Sequence, residues 1–420
     1  MSPVLPHSAP VFTVRRRPVR RPAVSFLPFS RLEPNPRPEA GTLAQGQPGW
    51  CKGNLDSPTA DCPPPQLQIP RAPLVGIARL AAQSPQAETK RHSAEKPEYF
   101  LLPVKSILNR CDSNRVPFEW AINPYRGCEF ACKYCYARYT HEYMEIDGGD
   151  FEKKIFVKQD AAALLARDVS QKYSHESKAS GYTQAEHIAI GTATDPYQPA
   201  EREYGVTRAC LEELAKREGL SISIITKSNQ IVRDIEVLKA IARKSALTIN
   251  ITVTTMKPRL ARLLEPRAPR PDLRLSAMKE LREAGLHVGV TASPVMPGIT
   301  DGEGELERVA EAAKGAGAEW FFCGVLFLMP ASAKEFLPFV REKFPRLARQ
   351  YDQWYRRNGY APEEYRRKVS ERMLRIRQEF GFAARPWEGM RPTGTHAQLS
   401  LGWDAAAISG EIERAQCCTG

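Results

Sequence analysis

The chain has 420 residues, of which 42% are hydrophobic, and it carries a formal net charge of +12. This length and apolar content predict a globular protein with one large domain or two ordinary ones. The longest apolar run, at 320–329, is about half as long as a membrane crossing needs, and the ten cysteines are too sparse for a disulfide scaffold. A membrane protein and a disulfide-rich secreted protein are therefore excluded, and the expected location is cytoplasmic.

The positive charge lies on the two flanks of the chain. Residues 1–100 contain 13 basic and seven acidic side chains, residues 334–391 contain 15 and eight, and the stretch 101–333 is close to neutral. A basic C-terminal segment is able to follow a nucleic acid backbone, whereas Arg-rich helices are also common as solvated faces. The charge alone leaves both interpretations open.

Residues 1–98 are predicted to form a disordered, Pro- and Arg-rich arm. The first hundred residues hold about half of the 35 prolines and show no sustained helical or strand period. The prolines would interrupt a presequence helix, and no apolar segment follows the arginines, so a targeting signal is not indicated. Cys51 and Cys62 in this arm are expected to be free thiols.

Residues 99–333 alternate short β-rich apolar runs with helical patterns. The strand candidates lie at 118–123, 187–192, 221–226, 247–254, 287–292 and 320–328, and the helix candidates at 161–173, 207–218, 231–244, 272–284 and 304–315. This alternation predicts an α/β fold of parallel strands joined by crossover helices. The periodicity alone does not distinguish an open sheet from a partial barrel.

Nearly every predicted strand runs directly into a polar or turn-forming cluster. These clusters begin at Asn123, Thr194, Thr226, Thr254 and Ser293. Parallel α/β folds place their active sites at the C-terminal ends of the strands. The sequence therefore predicts one shared pocket at that end of the sheet.

The first predicted strand is followed by a Cys-x-x-x-Cys-x-x-Cys loop formed by Cys128, Cys132 and Cys135. Three thiolates on one tight turn are able to hold three corners of a cubane iron–sulfur cluster and leave the fourth iron open to a small molecule. A structural zinc site is the alternative, with Cys111 or His141 as its fourth ligand. The position of the loop after the first of six βα units favours the iron–sulfur cluster.

The loop and its context resemble the radical S-adenosylmethionine (SAM) superfamily, whose signature is Cys-x-x-x-Cys-x-aromatic-Cys, with Tyr134 at the aromatic position. Over roughly residues 100–340, the chain is more closely similar to the group related to spore photoproduct lyase. The similar segments are INPYRGC at 122–128, CYAR at 135–138, TDPYQP at 194–199, ITKS at 225–228, LEPRAP at 264–269 and PVMPG at 294–298.

This resemblance implies a partial (β/α)6 barrel with a [4Fe–4S] cluster on the three loop cysteines and SAM bound across the strand ends. A reductant protein such as flavodoxin or ferredoxin would supply one electron. SAM would then be cleaved to methionine and a 5′-deoxyadenosyl radical, which abstracts a hydrogen atom from the substrate. The resemblance implies this chemistry without naming the substrate.

By position, the resemblance also assigns contacts to SAM. Its methionine part would meet Thr192, Thr194 and Asp195, its carboxylate Lys227 and Ser228, its ribose Thr254, and its adenine the backbone from Pro294 to Met296. Ordinary explanations stand beside these roles: Thr194 and Asp195 could form a turn before a proline, and Lys227 could be a surface lysine. Glu265 and Arg274 are interpreted as a structural pair.

The photoproduct-lyase group returns a hydrogen atom to its product from a cysteine downstream of the cluster loop. This chain has no cysteine between Tyr136 and Ala209. Cys323, in the sixth predicted strand, is the candidate for a catalytic role. The alternative is a buried core cysteine, because free cysteines commonly behave as small hydrophobes.

Residues 334–390 are predicted to form a basic helical extension, and residues 391–420 a flexible tail. The apolar spacing suits helices that pack over the open edge of the barrel. The basic side chains left outside would be Arg356, Arg357, Arg366, Arg367 and Lys368. They would contact phosphates if the substrate is a nucleic acid, and they would otherwise be the solvated face of a structural cap.

Three functions stay open at this point. The first is radical chemistry on a nucleic acid base, and the second is radical modification of a protein or small metabolite. The third is a non-enzymatic, metal-containing nucleic-acid-binding protein.

Overall fold

The structure is a computed structural model that describes residues 76–86, 97–111, 116–176 and 186–384. All of these residues belong to one compact unit, Arg71–Gly420. The C-terminal tail and most of the N-terminal arm, with Cys51 and Cys62, lie outside the described residues. Among the helices that are described, none is long and apolar enough to cross a membrane.

The described residues form two sheets surrounded by helices. The strands are β1 (Glu98–Leu102), β2 (Leu108–Arg110), β3 (Trp120–Ile122), β4 (Tyr125–Arg126), β5 (Lys154–Lys158), β6 (His187–Ile190), β7 (Ser221–Thr226), β8 (Ala246–Thr252), β9 (His287–Thr291) and β10 (Phe321–Phe322). The helices are α1 (Gly76–Gln83), α2 (Tyr139–Glu142), α3 (Ala161–Glu176), α4 (Glu201–Tyr204), α5 (Val206–Leu214), α6 (Ile235–Ala242), α7 (Pro258–Leu264), α8 (Pro271–Glu283), α9 (Glu305–Gly315), α10 (Pro330–Lys343), α11 (Ala348–Tyr355) and α12 (Glu363–Phe380).

The larger sheet has the order β10-β9-β8-β7-β6-β3-β2. Six of its strands, β3 and β6 to β10, are parallel and follow one another in chain order, and β2 is antiparallel on the outer edge of β3. Helices α3, α5, α6, α8 and α9 lie in the crossovers between these strands. The predicted α/β fold, a partial (β/α)6 barrel with a helical C-terminal extension, is confirmed.

The sixth strand is shorter than the predicted range 320–328. After β10 the chain stays extended but changes partners, because Leu326 donates its amide to Val295 (2.9 Å) and Leu328 donates its amide to Gly359 (2.9 Å). These partners come from the loop after β9 and from the segment before α12. The apolar sequence pattern continues to Met329. The strand therefore ends because its hydrogen-bond partners change, and the sequence pattern does not mark this end.

The main core lies between the outer face of the barrel strands and the crossover helices. Its buried members include Ile122, Ile190, Ile224, Ile251 and Val290 from the strands and Leu211, Leu238, Met278 and Val309 from the helices. Successive side chains of a strand point to opposite faces of the sheet. The strand residues that alternate with these core residues therefore line the barrel interior. Each such side chain contributes about 1.5–3 kcal/mol on burial.

The smaller sheet has the order β1-β5-β4 and was not expected from the sequence. Strand β5 pairs in parallel with β1 and antiparallel with β4. Strand β4 ends at Arg126, directly before the cysteine loop. This sheet therefore fixes where the loop begins.

The C-terminal helices divide between two surfaces. Phe336, Phe339 and Val340 of α10 and Tyr351 of α11 pack in the same core cluster as the loop cysteines. Helix α12 lies along the open edge of the barrel, where Arg377 Nε donates to the Phe321 carbonyl of β10 (2.8 Å). The predicted packing over the open edge is observed for α12, whereas α10 and α11 pack around the cysteine loop instead.

Candidate functional site

The cysteine loop begins at a position that only glycine fits. Gly127 has φ +83°, and a Cβ atom there would lie 2.7 Å from the Lys154 carbonyl oxygen and 2.8 Å from that of Phe151. The close approach lets the next amide, that of Cys128, donate to the Phe151 oxygen (3.0 Å). The turn is thereby attached to the smaller sheet.

The three predicted ligand thiols lie in this loop within a mainly apolar cluster. Burial raises the pKa of all three thiols, to about 12 for Cys132, where the nearby Lys227 ammonium opposes the shift. Burial is the main cause of the raised pKa of Cys128, and the charges of Asp195, Cys132 and Cys135 add to it. Metal binding must therefore displace thiol protons.

The donor set suits a thiolate-ligated cluster rather than a carboxylate-rich metal. Within the described ranges, no three His, Cys, Asp or Glu side chains already stand in ligating geometry. The zinc alternative receives no support from His141, whose Nε2 atom is 2.9 Å from the Lys154 carbonyl oxygen and whose ring packs against Phe151. Burial lowers the pKa of His141 to about 4.

A buried arginine, Arg138, supports the backbone of the cysteine loop. Arg138 is fully buried, and its guanidinium pairs with Glu152 (2.6 Å) and donates to the carbonyls of Gly148 (3.0 Å) and Cys132 (3.4 Å). The Ser332 hydroxyl, at the start of α10, donates to the Cys135 carbonyl (2.9 Å). These two contacts fix the backbone of two of the three cysteines.

The loop after β6 also forms hydrogen bonds with the cysteine loop. The Thr194 hydroxyl donates to the Gly127 carbonyl (2.6 Å), and Gln198 Nε2 donates to the same oxygen (3.2 Å). Gln198 Oε1 accepts from the Glu129 amide (2.9 Å). Thr194 thus contacts the cysteine loop directly, and its predicted contact with SAM stays a prediction.

Asp195 is enclosed by hydrogen-bond donors of the protein. Its carboxylate accepts from the Thr226 hydroxyl (2.6 Å), the Lys227 amide (2.8 Å) and the Tyr197 amide (2.9 Å). Burial raises its pKa, and these hydrogen bonds oppose that shift. This arrangement matches the turn interpretation, while the SAM contact of Asp195 remains untested.

Two further predicted contact residues also have local roles. The Ser228 hydroxyl accepts from the Gln230 amide (3.2 Å) and caps the short 3-10 helix that follows. The Thr192 hydroxyl accepts from Asn123 Nδ2 (3.0 Å), and the Thr192 carbonyl accepts from Tyr136 Oη. Thr192 and Asn123 follow neighbouring strands, so the predicted convergence at the strand ends is observed here.

Lys227 lies at the end of β7 and faces the cysteine loop. Its Nζ atom is 5.8 Å from the centre of the Tyr134 ring. Burial lowers the pKa of Lys227, but the negative charges of Cys132 and Glu265 more than offset this effect, and the net shift is upward. In the described part of the chain, no salt bridge engages this ammonium within 4.0 Å.

Thr254, at the end of β8, joins a buried carboxylate. Its hydroxyl donates to Glu265 Oε1 (3.1 Å), which also accepts from Tyr134 Oη. Glu265 Oε2 pairs with Arg274, as the structural interpretation of these two residues expected. Burial raises the pKa of Glu265, but Arg274 and Lys227 outweigh burial and lower it overall.

The segment predicted to contact adenine lies beyond β9. The Ser293–Pro294 peptide bond is cis, and the next amide, that of Val295, donates to the Gly324 carbonyl (2.7 Å). Met296 is fully buried among the residues that surround the cysteine loop. Pro294 and Met296 therefore lie on the same side of the barrel as the three thiols.

Comparison with known proteins identifies the family of the chain. A family model described as Radical SAM superfamily matches residues 122–311, from the end of β3 through most of α9. The chain belongs to the radical SAM superfamily. It is therefore an enzyme of that superfamily, with the signature cysteines in the expected loop.

Chains similar to this one occur in distant organisms. An uncharacterized Mycobacterium tuberculosis protein, Rv2578c, is 32% identical over 281 residues, which are 66% of this chain and 80% of that protein. An uncharacterized Methanocaldococcus jannaschii protein, MJ0683, is 27% identical over 251 residues, which are 60% of this chain and 85% of that protein.

The fold is similar to solved structures of spore photoproduct lyase. One structure with bound dinucleoside spore photoproduct has a TM-score of 0.50 and 17% identity, covering 67% of this chain and 79% of that one. A variant of that lyase with AdoMet and the same dinucleoside has a TM-score of 0.50 and 16% identity. At this identity the likeness concerns the fold of the radical SAM barrel.

Cys323 lies apart from the radical SAM loop. It is 5% exposed and belongs to the core between the strands and the crossover helices, whereas the loop cysteines belong to a different cluster. Its amide donates to Met373 Sδ of α12 (3.3 Å), and burial raises the pKa of its thiol to about 12. The structure supports the core role of Cys323, and its catalytic role stays an untested prediction.

Several functional contacts were missed by sequence reasoning. Gln198, Arg138 and Ser332 support the cysteine loop, and their partners are up to 197 residues away in the chain. Gln198 and Arg138 lie inside the similar segments TDPYQP and CYAR, and this position was the available signal. Ser332 carried no signal.

Proposed function

We propose that this radical SAM enzyme holds a [4Fe–4S] cluster on Cys128, Cys132 and Cys135 and acts by hydrogen abstraction. When bound, the cluster supplies the electron that cleaves SAM to methionine and a 5′-deoxyadenosyl radical. The observation that carries the proposal is a single loop, after the first of six parallel strands, that brings the buried Cys128 and Cys132 and the half-buried Cys135 into one core cluster.

The residues around the loop have defined tasks in this proposal. The half-buried Lys227 presents an ammonium beside Tyr134 of the cysteine loop, and a cation partly removed from water is stabilised when a ligand carboxylate neutralises it. We assign the carboxylate of SAM to this position. Thr194 and Gln198 orient the loop through the Gly127 carbonyl, and the apolar side chains of α10 exclude water from its outer side.

The test is anaerobic reconstitution with iron and sulfide, followed by a reductant and SAM. We expect the wild-type protein to form 5′-deoxyadenosine and Cys132→Ala to lose this activity entirely. Cys210→Ala is the matched control, because Cys210 is equally buried but packs in α5 among the crossover helices. A protein that binds only zinc and does not cleave SAM would contradict the proposal.

For the substrate, we propose a nucleic acid base. Three tyrosines form a row that begins directly after Cys135: Tyr136 is 45% exposed, Tyr143 is 64% exposed, and Tyr139 between them is half-buried. The ring centres of Tyr136 and Tyr139 are 6.5 Å apart, and those of Tyr139 and Tyr143 are 5.3 Å apart. Bases stack on such aromatic side chains with about 1–3 kcal/mol each.

Retention on immobilised single-stranded DNA and RNA at two salt concentrations tests this substrate class. We expect Tyr139→Ala and Tyr143→Ala each to weaken retention roughly 5- to 160-fold, which corresponds to about 1–3 kcal/mol. Leu374→Ala, at another exposed apolar position, is the control. If neither nucleic acid is retained at low salt, a protein or small metabolite becomes the better substrate candidate.

A further inference from the structure

Glu265 is a buried carboxylate with donors on both of its oxygens. It is 1% exposed, and its Oε1 atom accepts from the hydroxyls of Tyr134 and Thr254 while Oε2 pairs with Arg274. Tyr134 lies between two of the loop cysteines, and Thr254 lies at the end of β8. One carboxylate therefore connects the cysteine loop with a strand end.

The backbone around Glu265 also holds the loop. The Lys133 amide donates to the Leu264 carbonyl (2.9 Å), and the Arg267 amide donates to the Phe130 carbonyl (3.2 Å). These two hydrogen bonds lie on either side of Cys132 in the loop and on either side of Glu265 in its own segment. Glu265 therefore lies next to the part of the loop that carries Cys132.

Arg274 anchors the carboxylate to the barrel. It is 1% exposed, its Nη1 atom donates to the Thr252 carbonyl of β8 (3.0 Å), and its Nε atom donates to the Pro269 carbonyl (2.8 Å). The loop, the end of β8 and the first turn of α8 are therefore joined by one ion pair. Movement of Tyr134 would leave a buried charge incompletely bonded, which is costly.

Charges of both signs lie near the thiols. Lys227 and Arg274 each carry a positive charge, and Glu265 and Asp195 carry the negative charges that oppose them. At the Cys132 thiol, Glu265 and Lys227 act in opposite directions, so both are close enough to influence a group bound there. Removing the carboxylate charge would make the surroundings of the loop more positive.

We infer that Glu265 is a positioning residue for the cluster and SAM site: it fixes Tyr134 against Thr254, holds Cys132 in register with the strand ends, and offsets the positive charge of Arg274 and Lys227 beside the thiolates. This inference rests on the proposed function. It assigns a task to a residue that acts on the loop through the hydroxyls of Tyr134 and Thr254.

The experiment compares Glu265→Gln with the wild-type protein after anaerobic reconstitution. Glutamine keeps the size of the side chain and removes its charge. We expect the midpoint potential of the cluster, followed by electron paramagnetic resonance, to shift to a more positive value, because a negative charge near the reduced cluster has been removed. Asp234→Asn is the matched control, since Asp234 is equally buried and pairs with Arg208 and Arg233.

The control is expected to lower the thermal midpoint without shifting the potential. If Glu265→Gln holds iron as the wild type does and has the same potential, the inference is wrong. If Glu265→Gln fails to fold, Tyr134→Phe decides, because it keeps the ion pair and removes one donor. We expect this variant to lose iron to a chelator several-fold faster than the wild type, and an unchanged rate would overturn the inference.

The two proposals fail in different ways. A wild-type protein that forms no cluster overturns the proposed function together with this inference. A wild-type protein that cleaves SAM, beside a Glu265→Gln variant with the same potential and iron content, overturns the inference alone.

Discussion

Among the residues of the cysteine loop, Gly127 has a strict requirement, because its φ is positive and two carbonyl oxygens leave no space for a Cβ atom. We expect Gly127→Ala to lower the free energy of unfolding by about 1–3 kcal/mol and to reduce the iron retained after reconstitution. Urea denaturation and iron analysis would measure the two effects.

The chain supplies a matched control for this substitution. Gly219 also has a positive φ, of +73°, but no atom lies within 4 Å of its Cβ position. Gly219→Ala should cost about 1 kcal/mol and leave iron binding unchanged. Equal losses at the two glycines would show that backbone conformation alone, rather than the contact with the smaller sheet, matters at Gly127.

The predicted ligand cysteines could be identified from the sequence, whereas the residues that form hydrogen bonds with the cysteine loop could not. The spacing of Cys128, Cys132 and Cys135 is local, so the pattern was visible in eight residues of sequence. The bond from Thr194 to Gly127 joins positions 67 residues apart, and that from Gln198 to Glu129 joins positions 69 apart. Such contacts follow from the topology and have no local periodicity.

At the scale of elements, α12 protects the exposed edge of the barrel. Arg372 pairs with Glu307 of α9 and donates to the carbonyls of Asp301 (2.7 Å) and Gly302 (3.0 Å). We expect Arg372→Ala to lower the free energy of unfolding by about 1–2 kcal/mol, since hydrogen bonds of a charged donor are lost at a partly exposed site. The amides of β10 should exchange faster with deuterium.

Arg375, one turn away on the outer side of α12, is the control for this prediction. Arg375→Ala should change the free energy of unfolding by no more than about 0.5 kcal/mol. Unchanged exchange at β10 in Arg372→Ala would mean that the apolar contacts of Val369 and Ile376 suffice to hold the helix.

The strands of the smaller sheet could not be predicted from the sequence. Strand β4 has only two residues, and β1 pairs with β5 across more than fifty positions of sequence. Strands this short carry too few residues for an alternating pattern to be recognised.

The basic residues of the C-terminal helix were left open between two interpretations. Arg367 and Lys368 form ion pairs with Glu371 and Glu364 on their own helix, and this pattern favours a solvated helix face for these two residues.

For the whole molecule, alternation of strands and helices was enough to predict the parallel order, because each crossover helix leaves a long and recognisable pattern. It could not decide between an open sheet and a partial barrel, since closure depends on strand tilt and on side-chain packing inside the sheet. At Gly289, for example, a Cβ atom would lie 2.2 Å from the Trp320 indole, whose Nε1 atom donates to Asn250 (2.9 Å). This contact joins β8 and β9 to the residue directly before β10, and no local sequence pattern indicates it.

The hydrogen bond from Ser332 to Cys135 has a consequence for biosynthesis. The ribosome must synthesise nearly two hundred further residues after the cysteines before this partner emerges. Until then the nascent loop also lacks the apolar cover of α10, and its thiols are accessible to oxidants and to unwanted metals. Insertion of a cofactor at this loop is therefore expected to follow translation of the barrel, and the cellular machinery that delivers it would act on a nearly complete chain.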